Sequence, residues 1–215
     1  SLKPCMNSCG PAGTPAGVYV INYTLCEKLN PSNCKPATIT VNVDAPPILA
    51  ANDNFRGVNG TTGNANVGSA FLGDTVNSAP ATSANATLAV NTAATPINGG
   101  PVPTLITTPG ATYGNVSVPA GTPAGVYTIS YKLCQSPTNP TNCKDATITV
   151  TVVPPVIDAV DDTFSAANGA TGNPNVGNAI SSNDLLNGAT PTVGATGNAV
   201  MTVTTPAAPI FGAPA

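Results

Sequence analysis

The cysteines are the residues of this chain best suited to chemistry, because the sequence holds six of them and no histidine. Cys26 and Cys34 flank one loop, and Cys134 and Cys143 flank a similar loop that is one residue longer. Cysteines that recur in pairs without histidine favour disulfide bonds over a metal site. We therefore predict the disulfides Cys26–Cys34 and Cys134–Cys143, each clasping a loop, and an oxidising location outside the cytoplasm.

Cys5 and Cys9 form a third pair, four residues apart. The matching positions of a later, similar stretch hold Tyr113 and Ser117, so this pair belongs to one stretch only. We predict a short disulfide here as well. Zinc ligation by the two thiolates is the alternative, although the chain has no histidine and no second close cysteine pair to complete four ligands.

Acidic and amide side chains follow two proline pairs and could together hold a cation. The candidate ligands are Asp158, Asp161, Asp162, Asn52 and Asp53. Calcium prefers several hard oxygen ligands on a short segment, which carboxylate and amide groups supply. The alternative is a solvated turn in which these side chains cap backbone amides. Calcium is the one cofactor that the sequence indicates.

No group of residues forms a recognisable catalytic arrangement. The single glutamate is Glu27, in a disulfide loop, and no serine or cysteine has a suitable base beside it in the sequence. The six basic residues form no stripe for nucleic acid. No apolar run approaches the ~20 residues of a membrane-spanning helix. We predict a protein that is not an enzyme, binds no nucleic acid and has no membrane span.

Short runs of valine, isoleucine and threonine are the elements that must position these residues. Clusters of glycine, proline and asparagine separate the runs, and the chain contains 21 glycines and 23 prolines. A disordered chain usually combines low hydrophobicity with high net charge, whereas here 41% of residues are hydrophobic and the net charge is -3. The composition therefore predicts an all-β fold.

The clearest strand is Val126–Cys134, and Ala146–Val152 is its predicted partner. Apolar and polar residues alternate in both runs, which indicates one buried face and one outer face. The inward residues of the first run are Tyr127, Ile129, Tyr131 and Leu133. An earlier run repeats this pattern with Tyr19, Ile21, Tyr23 and Leu25.

The chain is internally duplicated. The phrase PAGTPAGVY occurs at 11–19 and again at 119–127, and residues 59–68 match 168–177 at an offset of 109. The proline pairs Pro46–Pro47 and Pro154–Pro155 each follow a strong strand, as stiff joints between domains do.

The duplication and the proline pairs together predict three segments. Residues 1–45 are the C-terminal part of one repeat, 46–153 are a complete repeat, and 154–215 are the N-terminal part of the next. Two explanations of the partial repeats stay open. The chain is one part of a longer array, or the end of one subunit completes the start of another by strand exchange.

Two stretches carry a resemblance to a known family: VPAGTPAGVYTISYKLCQSPTNPTNCKDATITVTV and DAVDDTFSAANGATGNPNVGNAI. The chain resembles the repeat region of giant secreted cell-surface adhesins of Bacteroidetes-type bacteria, including the SprB-like adhesins of gliding motility. The resemblance implies tandem immunoglobulin-like or cadherin-like β-sandwich domains of about 109 residues that form a rod or filament. It also implies an extracellular, cell-surface location and adhesion to a surface or polysaccharide.

Some residue roles follow from resemblance alone. Pro-Ala-Gly-Val-Tyr resembles the tyrosine corner of immunoglobulin-like domains, which makes Tyr19 and Tyr127 the corner tyrosines. The alternative is an ordinary half-buried strand tyrosine. Similarity to cadherin-like repeats makes Asp184, and its counterpart Asp74, the aspartate of an Asn-Asp motif that sometimes binds calcium between domains.

These observations lead to one expected function and two alternatives. We expect a structural repeat segment of a surface adhesin or filament, whose partners are the neighbouring repeats. The first alternative is a carbohydrate- or calcium-dependent binding module. The second is a self-assembling fibre subunit joined by strand exchange.

Overall fold

The computed structural model describes residues 10–165, 168–180, 183–208 and 210. Fourteen strands and no helix form within these residues, so the chain is all-β, as the sequence predicts. The chain divides after Val153 into two compact units, Ser1–Val153 and Pro154–Ala215. We call residues 46–153, which belong to the first unit, the central segment. The second unit, residues 154–215, is called the C-terminal unit.

An antiparallel hairpin, the first hairpin, occupies the N-terminal part of the first unit. Its strands β1 (Gly17–Cys26) and β2 (Cys34–Val43) pair along their full length. Among the described residues neither strand pairs with any other strand, and every residue of β1 is exposed. The burial that the alternating pattern predicts for this hairpin is therefore not observed. The alternation of apolar and polar residues indicates which side chains share a face. Burial of that face also requires a second layer of structure packed against it.

The central segment contains ten strands. In chain order they are β3 (Ile48–Leu49), β4 (Asp53–Asn59), β5 (Asn64–Ser69), β6 (Thr75–Val76), β7 (Ala79–Pro80), β8 (Ala86–Thr92), β9 (Thr104–Leu105), β10 (Asn115–Val118), β11 (Gly125–Gln135) and β12 (Cys143–Val153). β11 and β12 form the second hairpin, which has the same antiparallel pairing as the first.

The ten strands form three sheets. The largest has the order β4-β12-β11-β8, in which β4 is parallel to β12 and β8 is antiparallel to β11. The other two have the orders β5-β10-β9 and β3-β6-β7. Asn77 and Ser78 join β6 to β7 with φ angles of 52° and 63°. Two successive positive φ values give the tight turn that suits a two-residue hairpin.

One hydrophobic core lies between the large sheet and the β5-β10-β9 sheet. The second hairpin supplies much of it through Tyr127, Ile129, Tyr131, Leu133, Ala146, Ile148, Val150 and Val152. The facing residues include Ala70, Leu105, Val116 and Val118. The alternation predicted from the sequence is thus observed for the second hairpin.

The C-terminal unit has little regular structure in its described residues. β13 (Ile157–Asp158) pairs with β14 (Leu185–Leu186), which matches the pairing of β3 with β6. The segments that match β4, β5 and β8 by sequence are 162–168, 173–178 and 199–205, and their described residues form no strand. In the central segment β4, β5 and β8 pair only with β12, β10 and β11. Counterparts of those three partners are absent from the described part of this unit.

Candidate functional site

The two hairpins close their loops with disulfides. Cys26 bonds Cys34 and Cys134 bonds Cys143, each pair standing directly opposite in the hairpin register with Cα atoms 4.1 Å apart. Both predicted disulfides are confirmed, and they are consistent with an oxidising, non-cytoplasmic compartment. Cys5 and Cys9 lie outside the described residues, so their pairing stays a prediction.

Inside the longer loop, amide side chains hold the backbone in place. Asn139 and Asn142 each donate an Nδ2 hydrogen bond to Gln135 Oε1, at 3.2 Å. Because Gln135 and Asn139 are buried, these bonds satisfy groups that water cannot reach. The network ties the loop to the end of its strand.

The shorter loop repeats this network with a charged acceptor. Asn30 and Asn33 donate to the two carboxylate oxygens of Glu27, at 2.8 and 3.1 Å. The role of the cysteines in these loops was predicted from the sequence, whereas the role of the asparagines was not. The sequence does contain a signal for this network: in both loops two asparagines precede the second cysteine at the same spacing.

The loop of the second hairpin also contacts the segment that precedes it in the chain. The Ala16 amide donates to Asn139 Oδ1 at 2.7 Å, and Asn142 Nδ2 donates to the Pro46 carbonyl at 2.8 Å. Both bonds lie within the first unit. One loop therefore anchors the start of the first hairpin and the predicted proline joint.

The tyrosines assigned to the corner by resemblance make equivalent hydrogen bonds. Tyr19 donates its hydroxyl to the Pro15 carbonyl and Tyr127 donates to the Pro123 carbonyl, both at 2.8 Å. Each acceptor lies four residues upstream of its tyrosine. Tyr127 is buried, whereas Tyr19 is exposed.

A buried group of Tyr131, Asp53 and Asp74 lies within the central segment. The Tyr131 hydroxyl is 3.2 Å from Asp74 Oδ2 and 3.4 Å from Asp53 Oδ2. It also lies 3.0 Å from the Ala70 carbonyl and 3.2 Å from the Ala51 carbonyl. One hydroxyl hydrogen cannot serve four acceptors, so an additional proton on a carboxylate would relieve the crowding of oxygens.

The environment of this group favours the protonated forms. Burial, and next the charge of Asp74, raise the pKa of Asp53 to about 7, while the Tyr131 hydrogen bond opposes the shift. Burial also raises the pKa of Asp74, against the hydrogen bonds from the Ala51 amide and Tyr131. Burial and the two carboxylates raise the pKa of Tyr131, which keeps its hydroxyl a donor. A proton on Asp53 near neutral pH makes this carboxyl a donor too.

The arrangement is suited to stability, because all three side chains are buried. Two surface depressions of the first unit are lined by residues around Asn54–Asn59 and around Thr112–Ala120, and neither is lined by Asp53, Asp74 or Tyr131. Sequence reasoning missed the role of Tyr131, although an inward-facing tyrosine needs a partner for its hydroxyl.

The candidate calcium ligands lie in different surroundings. Asn52 Oδ1 accepts a hydrogen bond from the Thr147 amide, and Asp53 belongs to the buried group described above. In the C-terminal unit Asp158 and Asp161 are exposed and Asp162 is partly buried. No three His, Cys, Asp or Glu side chains within the described ranges are placed to hold a metal ion. Calcium binding stays a prediction.

Asp184 repeats the role of Asp74. It is buried, and its Oδ1 accepts a 2.8 Å hydrogen bond from the Val160 amide. Asp74 Oδ1 accepts the equivalent bond from the Ala51 amide at 2.6 Å. The aspartates assigned by resemblance therefore brace the same turn in both units.

Comparisons with protein-family models, with curated proteins and with solved structures give no match for this chain. Within the described residues, no helix has the length and apolar character needed to cross a membrane.

Proposed function

We propose that this chain is a structural repeat segment of an extracellular bacterial surface adhesin or filament. Its units are tandem immunoglobulin-like β-sandwich domains of about 109 residues. The observation that carries the proposal is the duplication of one hairpin, at Gly17–Val43 and Gly125–Val153. Both hairpins share their register, their disulfide, the tyrosine bond and the loop network.

The strand order supports the immunoglobulin-like assignment. The sheets β4-β12-β11-β8 and β5-β10-β9 enclose one core, and the last two strands of the segment form a central hairpin. Immunoglobulin-like sandwiches likewise pack two sheets over one core, with the last two strands as neighbours in one sheet. The disulfides support a location outside the cytoplasm.

The contacts of the disulfide loop support a rod of successive repeats. The Ala16 amide reaches Asn139, so the last hairpin of one repeat is hydrogen-bonded to the following repeat. Units that contact mainly their neighbours can be added without redesign, which suits a filament. The partners of this chain are then other repeats, and adhesion to a surface or polysaccharide follows from the resemblance.

Antibodies against the central segment test this function. We expect them to label intact cells of the organism that makes the protein, and their Fab fragments to reduce attachment or gliding. A cytoplasmic protein, labelled only after permeabilisation, is the control. Labelling of the central segment only after permeabilisation would refute an extracellular surface role.

A further inference from the structure

The peptide group between Pro15 and Ala16 is hydrogen-bonded from two sides. Its carbonyl oxygen accepts the Tyr19 hydroxyl at 2.8 Å, and its amide donates to Asn139 Oδ1 at 2.7 Å. Tyr19 belongs to the first hairpin, whereas Asn139 lies 123 residues after Ala16, in the disulfide loop of the second hairpin. The corner tyrosine therefore helps to orient a peptide group whose amide is bonded by the central segment.

Asn139 is buried although it lies in a loop. It is 8% exposed, and its Nδ2 donates to Gln135 Oε1 at 3.2 Å while its Oδ1 accepts from Ala16. Turning this side-chain amide over would leave both partners unpaired, which is costly for a buried group. The orientation of Asn139 is therefore fixed, with its oxygen directed at the Ala16 amide.

Asn142 makes a second contact from the same loop. Its Nδ2 donates to the Pro46 carbonyl at 2.8 Å and to Gln135 Oε1 at 3.2 Å. Ala16 directly precedes β1 and Pro46 follows β2, so the two asparagines hold the open end of the first hairpin at two points. Two points of attachment oppose both swinging and twisting about the joint at Pro46–Pro47.

The disulfide loop has its own internal bonds that keep it in shape for these contacts. Cys134 and Cys143 close it, the Gln135 amide donates to the Asn142 carbonyl at 3.0 Å, and the Asn142 amide donates to the Asn139 carbonyl at 2.9 Å. Contacts made by a preorganised loop cost less conformational entropy than those of a flexible one. Two modest hydrogen bonds can therefore act together at the joint.

We propose that the disulfide loop Gln135–Asn142 is a clamp between successive repeats, which keeps the joint at Pro46–Pro47 from bending freely. The clamp binds the peptide amide beside the corner tyrosine of the preceding repeat through Asn139, and a carbonyl of the joint through Asn142. Tyr19 is a positioning residue, because it acts through the peptide group that Asn139 binds. Linked domains without such a contact move relative to one another by default.

Both halves of the contact occur twice in the sequence. Pro-Ala-Gly-Val-Tyr stands at 15–19 and at 123–127, and Asn-Pro-x-Asn stands at 30–33 and at 139–142. The Tyr127 hydroxyl bonds the Pro123 carbonyl at 2.8 Å, as the Tyr19 hydroxyl bonds Pro15. A contact whose two halves belong to the repeat itself can serve at each joint of an array.

This inference rests on the proposed function for one premise, that residues 1–45 and 46–153 belong to successive repeats, and it names the contact that holds them. Measurements on the purified chain test the clamp, whereas antibody labelling tests the location. A freely moving joint would refute the clamp only, and absent surface labelling would refute the location only.

Exchange of single backbone amides, followed by NMR, tests the bond between Ala16 and Asn139. Ala124 is the internal reference, because Pro-Ala-Gly surrounds both alanines and gives their amides the same intrinsic rate. Ala124 is exposed, and no described residue accepts a hydrogen bond from its amide. We expect the Ala16 amide to exchange about two- to tenfold more slowly, and Asn139→Ala to remove the difference. Equal rates in the native chain, or a difference that survives Asn139→Ala, would refute the bond.

The same measurement tests the positioning role of Tyr19. Tyr19→Phe should speed exchange of the Ala16 amide and leave the amides within β1 and β2 unchanged, because the hairpin register does not depend on this hydroxyl. Faster exchange throughout the hairpin, or no change at Ala16, would contradict the positioning role.

Backbone nitrogen relaxation tests whether the clamp restrains the joint. We expect the first hairpin and the central segment of the native chain to share one rotational correlation time. Replacing Asn139 and Asn142 by alanine should shorten it for the first hairpin alone. The matched control replaces Asn30 and Asn33, the asparagines of the other disulfide loop, and should leave it unchanged. Independent tumbling in the native chain, no change in the first variant, or an equal change in the control would overturn the proposal.

Ala16→Pro reaches the same contact from the other side and leaves the disulfide loop unaltered. Proline has no amide hydrogen, so Asn139 Oδ1 loses its donor. We expect the first hairpin to gain the same freedom as with Asn139→Ala, and no more when the two substitutions are combined, because both act through one bond. A joint that stays rigid in Ala16→Pro, or effects that add in the double variant, would show that this bond is not what restrains the joint.

Discussion

The two hairpins of this chain have nearly the same sequence and the same hydrogen-bonded register, yet one is buried and the other is exposed. The local features recur in both: the terminal disulfide, the tyrosine bond to an upstream proline and the asparagine network of the loop. The second hairpin is flanked by β4 and β8 and faced by another sheet, whereas among the described residues no further strand pairs with β1 or β2. Hairpin geometry here is a local property, whereas burial belongs to the complete repeat.

The largest expected difference between the hairpins concerns their central isoleucines. Ile129→Ala leaves a cavity in the core and should lower the free energy of unfolding of the central segment by about 2–5 kcal/mol. Ile21→Ala should change it by less than about 0.5 kcal/mol, because Ile21 packs against no core. Urea unfolding followed by tyrosine fluorescence, in dilute solution, measures both. Equal costs would mean that the first hairpin is also packed.

The two disulfides should also differ in how much they stabilise the central segment. Replacing Cys134 and Cys143 by alanine should cost the central segment about 2–3 kcal/mol, because the closed loop no longer restricts the unfolded chain. Replacing Cys26 and Cys34 should leave the unfolding of the central segment unchanged. Thermal unfolding of the two double variants makes the comparison, and a similar loss in both would argue that the hairpins unfold as one unit.

Removal of a tyrosine hydroxyl should also lower stability in the second hairpin and not in the first. Tyr131→Phe leaves Asp53, Asp74 and two carbonyls without their shared donor, which should cost about 1–3 kcal/mol. Tyr23→Phe is the matched variant and should be neutral in dilute solution. Denaturant midpoints decide the issue; a neutral Tyr131→Phe would show that the surrounding oxygens satisfy one another without the tyrosine.

The buried carboxyl group predicts an unusual dependence on pH. The pKa of Asp53 rises from 3.8 to about 7 on folding, so between these values the folded state holds a proton that the unfolded state releases. This contribution to stability is present below pH 3.8, falls as the pH rises and is lost above about 7. Asp53→Asn removes this dependence, so its stability relative to the native chain should improve as the pH rises from 3.8 to about 7.

Unfolding measured across this pH range checks the prediction. The exposed Asp44→Asn provides the control, because it changes the charge equally without touching the buried group. A constant difference between Asp53→Asn and the native chain from acid to alkaline pH would contradict the raised pKa. Loss of stability only on acidification would place the ionised carboxylate in the folded state.

The sequence predicted the hairpins closely because their signals are local. The predicted strand Val126–Cys134 is Gly125–Gln135 in the structure, and the predicted Ala146–Val152 is Cys143–Val153. The parallel pairing of β4 with β12 carries no such signal, since it joins residues that are far apart in the chain. Two-residue strands such as β6 and β9 are too short to show a period.

The surroundings of individual side chains were harder to predict. Asp53 was selected as a calcium ligand for its position after the prolines, but the structure places it beneath Tyr131 in the core. Only the complete repeat brings these two residues together. The exposure of Tyr23 could not be read from the pattern either, because the same alternation in β11 gives a buried face.

Amide hydrogen exchange on the purified chain compares the burial of the two hairpins in one sample. We expect amides in β11 and β12 to exchange orders of magnitude more slowly than the matching amides in β1 and β2. Equal protection of the two hairpins would contradict the claim that the flanking strands and the facing sheet, and not the hairpin sequence, determine burial.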